Sequence, residues 1–290
     1  MGRSLPEWFK QRVPRTGEDR GADALIKGLN LHTICESGHC PNISQCFPGG
    51  AAFLILGNTC TRNCNFCAVD KGLPYPPDPD EPANIAEAAK QLKLDYVFIT
   101  SVTRDDLPDD GACQFVRTIE LIHKELPGVG VEVLVPDFKG SPSAIRAVVQ
   151  VEPEVMGHNI ETIPRLYPQV RPMADYQRSL DVLCQSKEFD PGIITKSGIM
   201  LGLGETGEEV IAVMRDLRQV GCDLLTLGQY LSPSSHNYPV NNFPTPQEFA
   251  DFIPIGMEMG FRGVASAPLM RSSFKANELY RKAILDKNYI

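Results

Sequence analysis

The sequence predicts an α/β fold of six β-α units around a parallel sheet, and three observations predict it. Short apolar runs alternate with amphipathic stretches from about residue 51 onward. Helix start signals stand between those runs. The chain is also long enough, at 290 residues and 42% hydrophobic, to bury one large core.

Taken in order, the expected strands are 52–56, 96–100, 131–135, 155–158, 198–203 and 224–227, with a further one at 263–265. All are rich in Val, Ile and Leu. Between them, Ile85, Ala88, Ala89 and Leu92 keep helical spacing behind the cap candidate Asn84 with Glu87. Val210, Val213, Met214 and Leu217 do the same behind Thr206 with Glu209. Ser141-Pro142 opens another helix around Ile145, Val148 and Val149, with serine as cap and proline in the first turn, where its missing N–H costs nothing. Residues 73–82 hold five prolines and form an extended connector.

Six parallel strands with connecting helices fit a doubly wound sheet or an incomplete β/α barrel, and periodicity does not choose between them. Either fold gathers ligands at the C-terminal ends of its strands. Thr100-Ser101, His158-Asn159, residues 202–205 and Gln229-Tyr230 stand at such ends. The organisation expected is an N-terminal extension over 1–50, a core over 51–231, and a C-terminal extension over 232–290 that begins in a polar loop and ends in a helix.

Six of the nine cysteines lie between Cys35 and Cys67, where an even scatter would put about one. They form two triplets: C-x4-C-x5-C (Cys35, Cys40, Cys46) and C-x3-C-x2-C (Cys60, Cys64, Cys67). A structural zinc site is closed by four protein ligands, whereas an iron-sulfur cluster held by three leaves one iron open. Two triplets of thiols therefore suggest two open clusters. A disulfide framework belongs to short secreted chains, and this chain is long and starts with charges and prolines in place of an apolar leader. The expected compartment is a reducing cytoplasm. Cys113, Cys184 and Cys222 fall in helix or strand patterns as small buried residues.

A net charge of −8 with pI near 5.2 argues against a general nucleic-acid surface, because phosphate binding needs concentrated Lys and Arg. Arg3, Lys10, Arg12 and Arg15 near the start face only Glu7 and read as a solvated, mobile terminus. No run approaches the roughly 18 apolar residues that span a bilayer. Asp105, Asp106, Asp109 and Asp110 form a dense acidic stretch that reads as a solvated, helix-capping loop and is assigned no metal. His32, His39 and His158 read as structural.

The sequence CTRNCNFC, with Phe66 before its last cysteine, resembles the signature of the radical S-adenosylmethionine superfamily. That resemblance implies a full or partial β/α barrel, here a partial (β/α)6 TIM-like barrel. It also implies that Cys60, Cys64 and Cys67 hold a 4Fe-4S cluster whose open iron binds S-adenosylmethionine, cleaved to methionine and a hydrogen-abstracting 5′-deoxyadenosyl radical. Together with CESGHCPNISQC upstream, RDDLPDDGA at 104–112 and RSSF at 271–274, the pattern resembles the lipoyl synthases over most of the chain.

The family resemblance implies a second, auxiliary 4Fe-4S cluster on Cys35, Cys40 and Cys46 that is consumed as the sulfur donor. Its fourth ligand would be a serine of RSSF, where Ser272 and Ser273 are both available and the role is carried to Ser273. Spacing alone would make either serine an ordinary helix cap. For the adenosyl cofactor, Asn159 and Glu161 are candidates for ribose hydroxyls and Arg171 for the methionyl carboxylate. Thr100 stands at a strand end beside them, and Gly202 and Gly204 would allow close backbone approach or form a plain turn.

What the family implies is insertion of sulfur at carbons 6 and 8 of an octanoyl-lysine on a lipoyl-carrier domain, of the glycine cleavage H protein or 2-oxoacid dehydrogenase acyltransferase type. An external electron donor such as ferredoxin or flavodoxin is implied too, with no nucleic acid and no membrane. The rivals are another sulfur-inserting radical enzyme and, in a different class, a two-cluster electron-transfer protein. The latter would need closed clusters with four protein ligands each.

Overall fold

A computed structural model describes residues 5–10, 19–43 and 52–285. Cys46, Arg3, Arg12 and Arg15 lie outside the described residues. Ten strands are described: β1 (His32–Thr33), β2 (Ala52–Ile55), β3 (Thr59–Cys60), β4 (Asp70–Lys71), β5 (Tyr96–Ser101), β6 (Gly130–Leu134), β7 (Val155–Gly157), β8 (Ile194–Leu201), β9 (Leu224–Gln229) and β10 (Gly263–Ser266). The helices are α1 (Asp19–Gly28), α2 (Ile34–Ser37), α3 (Glu81–Gln91), α4 (Ala112–Glu125), α5 (Pro142–Gln150), α6 (Tyr167–Val170), α7 (Tyr176–Phe189), α8 (Gly207–Gln219), α9 (Pro246–Glu258) and α10 (Ala276–Leu285).

Eight strands form one sheet in the order β1-β2-β5-β6-β7-β8-β9-β10. β1 is antiparallel to β2, and every later pairing is parallel. Consecutive helices pack on each other, α3 on α4, α4 on α5 and α5 on α7. They therefore share the outer face of the sheet, unlike the two covered faces of a doubly wound fold. Leu54 of β2 and Gly228 of β9, far apart in strand order, line the same cavity. The sheet must curl around that cavity, and among the described residues β1 and β10 leave it unclosed. The fold is a partial barrel, with its main core between sheet and outer helices.

Local chemistry explains the elements. Ser141 caps α5 by accepting from the Ala144 amide at 3.3 Å, and Thr206 with Glu209 forms a reciprocal capping box on α8. Two expectations need correction. Helix α3 begins at Glu81, not behind Asn84, because Glu81 tucks its carboxylate under the Leu56 amide at 2.9 Å and Pro82 sits in the first turn. The side chain of Asn84 instead donates to the Leu29 carbonyl at 3.1 Å, so the proline-rich connector stops before Glu81.

Strand β8 starts at Ile194, four residues before the expected 198, because polar Thr195, Lys196 and Ser197 are buried with partners. Helix α9, which periodicity did not single out, carries a signal of its own in Thr245 with Glu248, a second capping box with Pro246 in the first turn. β10 pairs with β9, so residues after 231 extend the same sheet. Cys222 is buried, but Cys113 is exposed and Cys184 only half-buried, because each takes an outer position on its helix. No helix among the described residues is long and apolar enough to cross a membrane.

Candidate active site

One cavity of about 520 Å³ occupies the inside of the curled sheet, within the roughly 300–1,000 Å³ typical of ligand sites. Cys35, Cys40, Cys60, Cys64, Cys67, Ser272 and Ser273 all line it. So do Thr100, Asn159, Glu161 and Arg171. The described cysteines carry free thiols.

The loop after β2 presents Cys60, Cys64 and Cys67. Its two ends are clipped together by the parallel pair β3 and β4, which sets Cys60 opposite Lys71. Within the loop, Arg62 is buried and forks onto two carboxylates, with Nε to Asp105 at 2.7 Å and Nη2 to Asp137 at 2.7 Å. Burial alone would raise the Asp137 carboxyl, but the bonds and charge of Arg62 hold it down at about 2. The far side is tied by the Asn65 amide to the Val170 carbonyl at 2.9 Å and by Asn237 Nδ2 to the Cys67 carbonyl at 3.0 Å. This frame fixes the thiols before any ligand arrives.

Burial pushes the Cys67 thiol up to about 12, and neighbouring Cys64 and Cys60 push it the same way. Cys64 is raised by burial as well, with Arg171 pulling against it. Cys64 and Cys67, whose ionisation is opposed by burial and by the neighbouring thiols, suit a cationic group that supplies the missing positive charge, and Cys60 lines the same cavity. The donor set thus fits an iron-sulfur cluster.

Around the cavity, several buried polar atoms lack a partner among the described residues: Ser101 Oγ, His158 Nε2, Arg171 Nε and Gln229 Oε1. Such orphans are rare inside proteins and mark places where a ligand completes the bonding. Arg171 Nη1 is held by the Asn159 carbonyl at 3.1 Å, leaving Nε for an anionic partner. Glu161 sits at φ 65 in the left-handed region, a strained backbone that the Asn159 Nδ2 bond at 3.1 Å and an adjoining backbone bridge to Ile199 keep in place. Burial and the Arg171 charge depress His158 to about 4, so its ring is neutral and bonded to the Val135 carbonyl at 2.8 Å.

The second thiol set is assembled differently. Cys35 packs with Ala52, Phe98 and Ala276, that is, with β2, β5 and the first residue of α10. Burial and Cys40 raise its thiol to about 11. Two residues after Cys40, Asn42 reaches across to the Leu269 carbonyl at 2.5 Å, pinning the N-terminal extension to the segment that leads into RSSF. Ser272 is committed to the barrel, its hydroxyl donating to Asn159 Oδ1 at 3.0 Å. Ser273 lines the cavity with its hydroxyl making no hydrogen bond among the described residues.

Not every sequence candidate reaches this cavity. Gly202 and Gly204 stay outside its lining; Glu205 accepts from the Gly202 and Leu203 amides, the signature of a plain turn. Thr100 lines it but spends its hydroxyl on the Leu134 carbonyl at 2.9 Å. In the acidic stretch, Asp105 pairs with Arg62, Asp106 with Arg104 and Asp110 with Lys139, while Asp109 accepts from the Cys113 amide. Gln229, placed by the sequence at a strand end, does line the cavity; sequence reasoning missed Arg62 and the buried pair Lys196 and Glu132, of which Arg62 alone carried a signal, as an arginine inside the cysteine loop.

Comparison with known proteins agrees with this geometry. Residues 54–217 match the Radical SAM superfamily. The chain is 55% identical over 273 residues, 94% of its own length and 95% of the relative's, to a lipoyl synthase of Caldanaerobacter subterraneus subsp. tengcongensis. It is 53% identical to a lipoyl synthase of Rubrobacter xylanophilus, covering 94% of this chain and 85% of that one. Among solved structures, a maturase of the FeFe-hydrogenase superposes with TM-score 0.58 at 16% identity, covering 73% and 49% of the two chains. Methylornithine synthase superposes with TM-score 0.50 at 16% identity, covering 77% and 70%. These structural likenesses bear on the fold alone.

Proposed function

The chain belongs to the radical SAM superfamily and, within it, to the lipoyl synthases, and from that premise we propose how its residues divide the work. It is a sulfurtransferase that uses S-adenosylmethionine and a 4Fe-4S cluster and acts on a lipoyl-carrier protein. The single observation that carries the finer reading is that Cys60, Cys64 and Cys67, the described Cys35 and Cys40 of the other set, and Ser273 line one cavity.

Cys60, Cys64 and Cys67 hold the radical-forming cluster, on the loop braced by Arg62. Arg171 Nε and the Asn159–Glu161 pair take the polar groups of S-adenosylmethionine, because they are buried, oriented and, for Arg171, short of a partner. Cys35, Cys40 and Cys46 hold the auxiliary cluster with Ser273, whose hydroxyl is uncommitted while Ser272 is bonded to the barrel. When bound, the first cluster and its cofactor supply hydrogen-abstracting chemistry, and the second supplies sulfur. Leu54, Phe98, Leu134 and Ile199 give the cavity an apolar wall suited to an octanoyl chain. Burial of the wall excludes water from the reacting carbons.

The carrier is octanoylated on a lysine, reduction comes from a ferredoxin or flavodoxin, and the setting is the cytoplasm, where free thiols and labile clusters persist. A two-cluster electron carrier would have no use for the partnerless groups facing this cavity. The test is anaerobic iron and sulfide quantification coupled to mass spectrometry of an octanoyl-lysine peptide: about eight irons and a gain of two sulfurs are expected. About four irons with 5′-deoxyadenosine formation but no sulfur gain would overturn the two-cluster assignment.

A further inference from the structure

Inside the barrel lies a pair that the reaction as described does not use. Lys196 of β8 and Glu132 of β6 are 2% and 1% exposed, with Nζ to Oε1 at 2.6 Å. Tyr96 of β5 donates its hydroxyl to the other oxygen of Glu132 at 2.8 Å. A buried ion pair is weak evidence of stability, because desolvating both charges offsets their attraction. The second bond of Lys196 suggests what else it does: Nζ donates to the Ser272 carbonyl at 2.8 Å.

Two glycines admit the same turn. A Cβ at Gly198 of β8 would stand 2.9 Å from Ser272 Oγ, and one at Gly228 of β9 only 2.0 Å from the Met270 carbonyl oxygen. A glycine within a strand marks close approach of another segment, and here both make room for one turn. Its far side is held by Asn42, through the Leu269 carbonyl.

We propose that Lys196, oriented by Glu132, is a positioning residue that seats the RSSF turn inside the barrel, so that Ser273 is presented to Cys35 and Cys40. The proposal rests on the two-cluster reading above. Lys196 supplies an ammonium N–H to a backbone carbonyl one residue before the serine that closes the auxiliary site. Glu132 and Tyr96 orient that donor and balance its charge. Among the described residues, Lys196, Glu132 and Tyr96 make no hydrogen bond to the loop that carries Cys60, Cys64 and Cys67.

The test compares Lys196→Met/Glu132→Gln with Glu132→Gln alone, in the reconstituted full chain. The double variant removes both charges together, leaving no unpaired ion, yet also removes the donor to Ser272. Its melting temperature is expected to stay near that of the native chain and its 5′-deoxyadenosine formation within about twofold, while iron falls from about eight to about four per chain. Sulfur insertion falls at least tenfold. Glu132→Gln alone retains Lys196 and its bond to Ser272, and is expected to keep about eight irons.

A pair that served only stability would leave iron content unchanged in both variants. About eight irons in the double variant would sink the proposal. Gly228→Ala, which pushes the turn away from the other side, should reproduce the loss to about four irons and decides the matter if the double variant does not fold; about eight irons there would overturn the seat as well. A native chain that itself holds only about four irons would instead bring down the two-cluster reading.

Discussion

Cys60, Cys64 and Cys67 stand on one loop whose ends are joined by the β3 and β4 pairing, whereas Cys35 and Cys40 share their side of the cavity with Ser272 and Ser273 from the opposite end of the chain. The first set takes its three thiols from one local loop, although the carboxylates that brace it through Arg62 lie 43 and 75 positions away. The second is a tertiary one, held by Asn42 on Leu269 and Lys196 on Ser272. Local sites form when their loop forms; assembled sites form only when the whole fold closes. The cavity therefore joins a robust half to a conditional half.

The sharpest way to break the contrast is to remove one thiol from each set. Cys64→Ala is expected to abolish 5′-deoxyadenosine formation, by at least a hundredfold, while about four irons remain. Cys40→Ala should do the reverse, keeping 5′-deoxyadenosine within a few-fold of the native chain and losing sulfur insertion. Anaerobic iron content with product analysis reads both. Loss of all iron in either variant would mean that the two halves are one cooperative unit.

A smaller effect tests the brace. Arg62→Met leaves Asp137 buried beside Arg178 alone, and removing one partner of a buried pair costs about 3–5 kcal/mol. The pH sign follows from Asp137, whose carboxyl is held at about 2 in the fold against about 3.9 when unfolded. Its stabilisation is complete above the unfolded value and is lost as pH falls through the folded one. The melting difference between native and Arg62→Met chains should therefore be the same at about pH 6 and about pH 8. A difference that shrank markedly between those values would show that some other group titrates with the brace.

The same contrast explains what was legible in the sequence. The loop cysteines, the Thr206 capping box and the apolar strands are local patterns, and each left a local signal. Strand β8 was read short because Lys196 looks like a surface residue until Glu132, 64 positions away, is folded against it. Helix α3 was started late because the partner that draws Glu81 inward is the end of another strand. Gly202 and Gly204 left a ligand approach and a plain turn both open, because glycine reports conformational freedom, not what approaches it. Partners distant in sequence leave no periodicity, and the side of the cavity that carries Cys35, Cys40, Ser272 and Ser273 is assembled from such partners.

The smallest expected effect sharpens the comparison most. Thr206→Ala removes a cap from α8 on the outer surface, worth about 1 kcal/mol, and should lower the melting temperature by only a few degrees. Thr206 is not among the residues that line the cavity holding the described thiols, so iron content, 5′-deoxyadenosine and sulfur insertion should all stay at native values. The control matters because an assembled site invites a trivial explanation, namely that any loss of stability empties it. If Thr206→Ala kept all its iron while Lys196→Met/Glu132→Gln, at a similar melting temperature, lost half, occupancy would follow the seat of the C-terminal turn. If Thr206→Ala also shed auxiliary iron, the conditional half of the cavity would be tracking global stability, and the distinction between the two constructions would reduce to a difference in fragility.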